Sequence, residues 1–250
     1  IKGKILSLPL HLIMKHVVRN SKHVAYITKS YLQQCYPTDG ASYSSVANVS
    51  LAEVIDEEKI NARIEAISNK EQYNLGLIGA LDVKYKGHEV AIKALQIVKK
   101  TFPNVKLRFL GQGEKNNCEE WANKYEVTEN VIYDGVLPGG SAVYSWLDGI
   151  DIYLQPSFTE GHGRSVIEAQ SRGCVVLTSD VGGMRDSVSN EYRFKKGDYQ
   201  GLASLIINVI ENEEFAKKSI IEGRANALQY HQVLIEEKRK KAIEEAYNDK

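Results

Sequence analysis

Apolar and polar residues alternate between two patterns from residue 74 onward. Short apolar runs that end at Gly, Pro or a polar turn predict strands buried on both faces. These strands are Asn74–Gly79, Lys106–Leu110, Asn130–Asp134, Asp151–Gln155, Cys174–Ser179 and the short Tyr192–Phe194. The stretches between them place apolar residues at helical spacing and predict helices. These helices are His88–Phe102, Glu114–Tyr125, Ser141–Leu147, Ser165–Ser171 and Leu202–Glu211.

Strands that alternate with helices predict an α/β fold, a parallel sheet with helices on both of its faces. Ligands of such sheets bind beyond the carboxyl ends of the strands, near the point where the strand order reverses. The loops that follow the predicted strands are therefore the places to search for chemistry.

The two ends of the chain follow other patterns. Residues 213–250 are charged and free of Pro, and they predict one or two surface helices. Near the start, a helix over Leu10–Val18, a strand over Val24–Thr28 and a short helix over Ser30–Tyr36 precede a turn-rich stretch. They amount to about one and a half βα units, too little to fold alone. Residues 51–72 are acidic and helix-prone, which predicts a connector.

Composition narrows the function. Among 250 residues, 32 basic and 32 acidic side chains give zero net charge, which excludes a strongly basic nucleic-acid binder. Residues 1–38 nevertheless hold six basic and no acidic residues, so this end is a candidate for a separate role. No apolar run approaches the roughly 18 residues of a membrane span. Three cysteines without CxxC spacing predict neither a disulfide framework nor a zinc site.

Residues 156–169 carry the most informative pattern. A strand ends at Pro156, a loop with one carboxylate and two glycines follows, and a helix begins near Arg164. Glycines at a helix N-terminus let an anion approach free backbone N–H groups, and Arg164 adds a planar cation there. Because a phosphate would repel Glu160, we expect that carboxylate to face a sugar hydroxyl or the positive charge that develops at an anomeric carbon.

Glu160 and Glu168 form an E-x7-E motif, and the sequence around them resembles the retaining GT-B glycosyltransferases of family four, also called glycosyl transferases group 1. The other matching blocks are Ile78–Leu81 with Tyr85–Gly87, Gly111–Gly113, Val131–Gly135, Arg172–Val176 and Ser179–Gly183. The resemblance covers residues 73–232 as a complete second Rossmann-like domain of the GT-B type, the donor-binding domain. Residues 1–50 resemble the remnant of the first, acceptor-binding domain and its hinge, residues 51–72 a connector, and residues 233–250 a C-terminal helix.

The family implies a role for each matching residue. Glu160 would act at the reacting face of the donor sugar, Lys86 would bind the diphosphate, and Glu168 would bind the ribose hydroxyls. The other implied donor contacts are Gly79, Lys84, Gly161, the backbone amides of Gly163, Arg164, Ser165 and Val166, and the backbone near Val136 and Leu137 for the base. The implied donor is a UDP- or GDP-sugar, and the implied reaction needs no metal and no further cofactor, in agreement with the lack of a D-x-D pair near the motif.

The chain departs from the family at more than one position. An Arg usually follows the Gly of the first strand, whereas this chain has Ala80. Lys84 or Arg164 would then supply the missing cation. His162 also stands where Phe is usual, and we interpret it as structural.

The resemblance implies retaining transfer of a hexosyl group to a glycan or lipid-linked acceptor in bacterial polysaccharide, capsule or lipopolysaccharide synthesis. The expected location is the cytoplasm, with peripheral contact at the inner face of the membrane through a first domain. Since the acceptor-binding parts are not in the sequence, we expect a truncated chain that binds donor and is inactive alone. A GT-B-like sugar-nucleotide epimerase, which would lack this E-x7-E arrangement, and a non-catalytic nucleotide-sugar-binding module stay open as alternatives.

Overall fold

A six-stranded parallel sheet forms the centre of the computed structural model, which describes residues 2–67 and 70–249. The expected segments 1–50, 51–72 and 233–250 also include Ile1, Ser68, Asn69 and Lys250, which lie outside the described residues. The strands of the sheet are β3 (Asn74–Ile78), β4 (Lys106–Leu110), β5 (Val131–Tyr133), β6 (Ile152–Gln155), β7 (Val175–Ser179) and β8 (Arg193–Phe194). All six predicted strands are thus confirmed, with ends shifted by one residue or less.

Helices cover both faces of this sheet. They are α3 (Glu57–Ile67), α4 (His88–Val98), α5 (Asn116–Lys124), α6 (Ser141–Asp148), α7 (Arg164–Ser171), α8 (Met184–Ser187), α9 (Tyr199–Glu211) and α10 (Glu213–Leu228). The buried apolar side chains of the strands and helices form one continuous core, because both faces of a parallel sheet lie against helices. The α/β fold with a parallel sheet is therefore confirmed.

The strand order, β5–β4–β3–β6–β7–β8, has one reversal. The chain moves outward from β3 to β5 and then returns to place β6 beside β3, where Leu75 pairs with Ile152. Loops at the carboxyl ends of β3 and β6 therefore diverge and leave a crevice, the usual ligand position in such sheets.

The N-terminal segment, defined as residues 2–50, forms a smaller unit with α1 (Lys2–Arg19), β1 (His23–Ala25), α2 (Tyr31–Cys35) and β2 (Ala41–Tyr43). The helix expected over residues 10–18 is confirmed as part of α1, which begins earlier and continues through Pro9, a residue whose nitrogen cannot donate a backbone hydrogen bond. Residues 37–45, expected to be turn-rich, also contain the short strand β2. Strand β2 pairs in parallel with β1 there, and Gly40 lies too close to the Ser21 carbonyl for any Cβ.

The final helix, α11 (Gln232–Asn248), returns the chain to the N-terminal segment. Leu51 donates its N–H to the Tyr230 carbonyl and accepts from the Gln232 N–H. The chain at Leu51 therefore lies beside the chain at residues 230–232, and we call this pairing the chain crossing at Leu51. Around Leu51, a second apolar cluster joins this crossing to α7; its members are Ala47, Val49, Ile167, Ala227, Tyr230 and Ile235. None of the helices among the described residues is both long and apolar enough to cross a membrane.

Candidate functional site

A cavity of about 420 Å³ lies at the crevice between β3 and β6. Its walls are Ile78 at the end of β3, Gly79 and Lys86 after that strand, residues 160–165 and Glu168 after β6, and Ile27 and Asn48 from the N-terminal segment. The structure therefore brings together most of the residues expected from the sequence. Ile27 and Asn48 were missed, because only the folded chain shows that the N-terminal segment forms the opposite wall.

Two loops meet at the base of this cavity. Gly87 has a φ of 78°, and a Cβ there would lie 2.0 Å from the Pro156 carbonyl oxygen, so only glycine fits. The Phe158 N–H donates to the Tyr85 carbonyl at 2.7 Å. These backbone contacts hold the loop that carries Lys86 against the loop that carries Glu160.

Lys86 and Glu160 form an ion pair where these loops meet. The distance from Lys86 Nζ to Glu160 Oε1 is 2.7 Å, and the two side chains are only 20% and 12% exposed. Glu160 Oε1 also accepts from Gln155 Nε2 at 2.8 Å and from Ser157 Oγ at 3.1 Å. Among the described residues, no hydrogen bond reaches Glu160 Oε2. One carboxylate oxygen is thus fixed by the protein, and the other is available to a ligand.

A buried polar network supports Glu160 from below. Gln155 accepts from Tyr153 Oη at 2.9 Å and from Ser165 Oγ at 3.3 Å, while its amide donates to Ser157 and Glu160. Gln155 and Ser157 are fully buried, and buried polar groups are kept only where they are hydrogen-bonded. The sequence analysis missed this network, although a Gln at the end of an otherwise apolar strand was a usable signal.

Helix α7 begins beside the ion pair. Gly163 precedes it with a φ of 69°, and the exposed Arg164 and partly buried Ser165 form its first turn. The Val166 N–H donates to the Gly163 carbonyl at 3.0 Å, so that amide is already used within the turn. The amides of Gly163, Arg164 and Ser165 are the ones at the start of this eight-residue helix that can face an anion.

Glu168 lies one turn further along α7, on the same face as Arg164. Burial raises the pKa of Glu168 above its ordinary value, and the positive charge of Arg164 opposes this shift only in part. Hydroxyl groups that donate to the ionised form of a buried carboxyl group favour that form and offset the cost that burial adds.

The loop before α8 packs against the carbonyls of the Glu160 loop. A Cβ at Gly182, where φ is 53°, would lie 1.8 Å from the Glu160 oxygen, and one at Gly183 would lie 2.1 Å from the Gly161 oxygen. Both positions therefore need glycine. The close packing of these two glycines against the carbonyl groups of Glu160 and Gly161 fixes the position of the Glu160 loop relative to the sheet.

His162 lines the cavity, but its side chain is buried and pairs with Tyr230. It is 3% exposed, and its Nε2 lies 3.1 Å from Tyr230 Oη. Burial lowers the pKa of His162, so the imidazole is neutral at neutral pH. The side chain thereby ties the Glu160 loop to the chain crossing at Leu51.

Four of the expected donor contacts do not line the cavity: Val166, whose amide is used within the first turn of α7, and Val136, Leu137 and Lys84. Val136, 65% exposed, and Leu137 lie in the loop after β5, at the carboxyl edge of the sheet. Lys84 lines a different cavity together with Asp82 and Glu89. Of the two cations considered as replacements for the Arg absent at Ala80, only Arg164 lines the cavity with Lys86. Across residues 2–67 and 70–249, no group of three His, Cys, Asp or Glu side chains could hold a metal ion.

Comparison with known proteins gives consistent results. The family described as "Glycosyl transferases group 1" matches residues 58–226. Protein CapJ of Staphylococcus aureus is 38% identical over 241 residues, which cover 96% of this chain and 60% of CapJ. The "Capsular polysaccharide biosynthesis glycosyltransferase CapM" of the same organism is 27% identical over 175 residues, 68% of this chain and 45% of CapM. This chain thus spans less than two thirds of the length of either relative.

Solved structures share the fold at lower sequence identity. Alr3699/HepE of Anabaena in complex with UDP superposes with a TM-score of 0.75 at 17% identity, covering 94% of this chain and 67% of that protein. TarM of S. aureus, in a complex that contains UDP, superposes with a TM-score of 0.73 at 18% identity, covering 92% of this chain and 45% of TarM. At these identities the likeness concerns the fold.

Proposed function

This chain belongs to the glycosyl transferases group 1 family, and on that premise we propose that its cavity binds a UDP- or GDP-sugar for retaining transfer of the hexosyl group. The observation that carries the proposal is the Lys86–Glu160 pair at the start of α7, with Glu168 one turn beyond. The Lys86 cation and the N-terminus of α7 match the diphosphate of one ligand, Glu160 matches its sugar, and Glu168 matches its ribose.

The diphosphate would lie between Lys86, Arg164 and the first amides of α7. Loss of one preorganised donor to a developing charge costs about 3–4 kcal/mol, whereas a helix N-terminus supplies about 0.3–1 kcal/mol. The two side-chain cations therefore dominate the stabilisation of the leaving diphosphate. Arg164 takes the place of the Arg absent at position 80, because Lys84 lines a separate cavity.

The sugar would lie against Glu160. With Oε1 held by Lys86, Gln155 and Ser157, Oε2 is the oxygen that accepts from a sugar hydroxyl or faces the anomeric carbon. The carboxylate then stabilises positive charge that develops there as the diphosphate leaves. The ribose hydroxyls would donate to Glu168, whose ionisation they favour.

The acceptor belongs to the same proposal. Because CapM is described as a capsular polysaccharide enzyme, we infer a glycan or lipid-linked acceptor and a role in bacterial polysaccharide synthesis. The reaction would take place in the cytoplasm, where the acceptor can lie at the inner face of the membrane. No metal and no further cofactor enter this scheme.

Titration calorimetry on this 250-residue chain tests the proposal, with UDP, GDP, UDP-glucose and GDP-mannose as probes. We expect one nucleotide to bind, and Glu168→Ala to weaken its binding while Glu211→Ala, at the distant end of α9, leaves it unchanged. Absence of binding for all four probes, or equal binding by the two variants, would contradict the proposal.

A further inference from the structure

The side chain of Asp186 joins the two walls of the cavity. Asp186 lies in α8, and its carboxylate accepts from Ser30 Oγ at 2.5 Å, the Ser30 N–H at 2.9 Å and the Tyr31 N–H at 3.0 Å. We call these three hydrogen bonds the Asp186 contact. They connect the N-terminal segment to the sheet domain across 155 or more positions of sequence.

Neighbouring contacts hold the same residues in place. Lys29 Nζ donates to Asn226 Oδ1 at 2.9 Å, and Asn226 in turn donates to Gln170 in α7 at 2.7 Å. A Cβ on Gly183 would lie 3.2 Å from Thr28 Cγ2, so residue 28 sits directly above the loop before α8. Residues 28–31 therefore rest on α8, on α10 and on that loop.

Backbone hydrogen bonds connect residues 26 and 28 to the part of the N-terminal segment that leads to Asn48 in the cavity wall. The Ser45 N–H donates to the Thr28 carbonyl at 3.1 Å, and the Val46 N–H donates to the Tyr26 carbonyl at 2.9 Å. Ile27 lies between these two acceptors, and Asn48 follows two residues after Val46. Both cavity residues of the N-terminal segment are thus tied to the stretch that Asp186 holds.

The other side of the Asp186 contact leads to Glu160. Asp186 follows three residues after Gly183, and the Gly182–Gly183 backbone lies against the carbonyls of Glu160 and Gly161. One carboxylate therefore bridges the loop under the proposed sugar position and the wall opposite it.

The charge state of Asp186 suits this bridge. Burial acts to raise the pKa of Asp186, but the hydrogen bonds from Ser30 and Tyr31 outweigh it and hold the pKa below its ordinary value. Hydrogen bonds to an ionised acceptor are stronger than neutral ones. The positive charge of Lys29 interacts with the same carboxylate, whereas Arg185 on α8 forms an ion pair with Asp180.

We propose that Asp186 is a positioning residue, which holds Ile27 and Asn48 over the Glu160 loop and so shapes the part of the cavity that receives the sugar. This inference rests on the proposed function for the identity of the ligand, but the Asp186 contact itself does not. The nucleotide would lie on the sheet domain alone. Loss of the contact is therefore expected to affect recognition of the sugar and to spare recognition of the nucleotide.

Hydrogen exchange and calorimetry together test this role. The variants are Asp186→Ala, Asp186→Asn, which keeps one acceptor oxygen, and Ser30→Ala, which removes only the hydroxyl donor. The matched control is Asp180→Ala, which removes a carboxylate from the loop before α8 whose partners, Arg185 and Arg193, both belong to the sheet domain.

In Asp186→Ala we expect the Ser30 and Tyr31 amides to lose protection, and in Asp180→Ala we expect them to keep it. UDP affinity should stay within about twofold, while UDP-glucose should lose about tenfold, equivalent to about 1.4 kcal/mol. The same split is expected for GDP and GDP-mannose if GDP is the nucleotide that binds. Asp186→Asn and Ser30→Ala should give smaller changes in the same direction.

Three results would overturn the inference, and they differ from one another. Unchanged hydrogen exchange at residues 30 and 31 in Asp186→Ala would show that the Asp186 contact does not hold these residues. Increased exchange with equal losses for UDP and UDP-glucose would make Asp186 a structural residue only. If the unsubstituted chain binds none of UDP, GDP, UDP-glucose and GDP-mannose, the proposed function is wrong. The positioning role is then wrong too, whatever the exchange data show.

Discussion

Lys86 Nζ lies 2.7 Å from Glu160 Oε1, and this pair joins the loops that follow the two central strands of the sheet. The loops leave β3 and β6 at the point where the strand order reverses, so their meeting follows from the topology. The proposed diphosphate would compete with Glu160 for Lys86. Ligand binding is therefore expected to loosen the pair while Gln155 and Ser157 continue to hold Glu160.

Substitutions of Arg164 and Lys84 test which of these residues supplies the second cation, beside Lys86, for the diphosphate. Arg164→Ala removes a charge from the cavity and should weaken nucleotide binding by about tenfold or more, since a hydrogen bond to a charged group is worth about 1.5–3 kcal/mol. Lys84→Ala changes the same charge in a separate cavity and should leave binding within about twofold. Calorimetry with UDP or GDP distinguishes the two. Equal losses, or a larger loss in Lys84→Ala, would show that Arg164 does not replace the Arg absent at position 80.

Gly182→Ala tests the packing of the loop against Glu160. The added Cβ would lie 1.8 Å from the backbone carbonyl oxygen of Glu160, so the backbone must move. The φ of 53° at this position also strains an alanine. We expect a loss of about 1–3 kcal/mol in the free energy of unfolding, together with weaker nucleotide-sugar binding. Gly139→Ala is the control, because a Cβ at Gly139 meets no atom within 4 Å. Equal denaturation midpoints for the two variants would refute the close approach.

The pKa of Glu168 predicts how binding depends on pH. Burial raises this pKa above the ordinary 4.5, so between the two values the folded chain holds more protons than the unfolded chain. The contribution of Glu168 to stability therefore falls as pH rises through that window. Ribose hydroxyls favour the carboxylate, so nucleotide affinity should rise as pH rises through the pKa of Glu168.

Glu168→Gln should remove this part of the pH dependence and keep the part that comes from the phosphates of the nucleotide. Titrations of both proteins from pH 4.5 to neutral pH give the comparison. Parallel curves for the two proteins would exclude a role for the ionisation of Glu168 in binding.

Much of this site could be predicted from local sequence. The strand before Gly79, the strand before Pro156 and the E-x7-E spacing of Glu160 and Glu168 depend on short-range periodicity and on a motif. Parallel strands bring the loops at their carboxyl ends to one edge, so the closeness of Lys86 and Glu160 followed from the fold class.

Contacts between distant parts of the chain could not be predicted in this way. Nothing local to Ser30 indicates that it faces Asp186, and nothing local to Asn48 indicates that it lines the cavity. Strand β2 has only three residues and was hidden among turn formers; it exists because β1 offers it a parallel partner. Such features depend on packing that propensity does not describe.

The network around Gln155 predicts a specific defect. Gln155→Leu removes the acceptor of the Tyr153 hydroxyl and one of the three donors to Glu160 Oε1, and the loss of these buried hydrogen bonds costs about 1–3 kcal/mol of folding free energy. Gln155→Glu is a stricter variant, because it places a second carboxyl group next to Glu160. Both variants should unfold at lower denaturant concentration than the unsubstituted chain. Unchanged midpoints in chemical denaturation would show that the network does not support the site.

A crystal structure of this chain with UDP tests the central assignment most directly, and GDP takes its place if calorimetry selects it. We predict the ribose hydroxyls within hydrogen-bond distance of the Glu168 carboxylate, and the diphosphate between Lys86, Arg164 and the first turn of α7. A nucleotide bound elsewhere, or one whose phosphates lie against Glu168, would contradict the assignment.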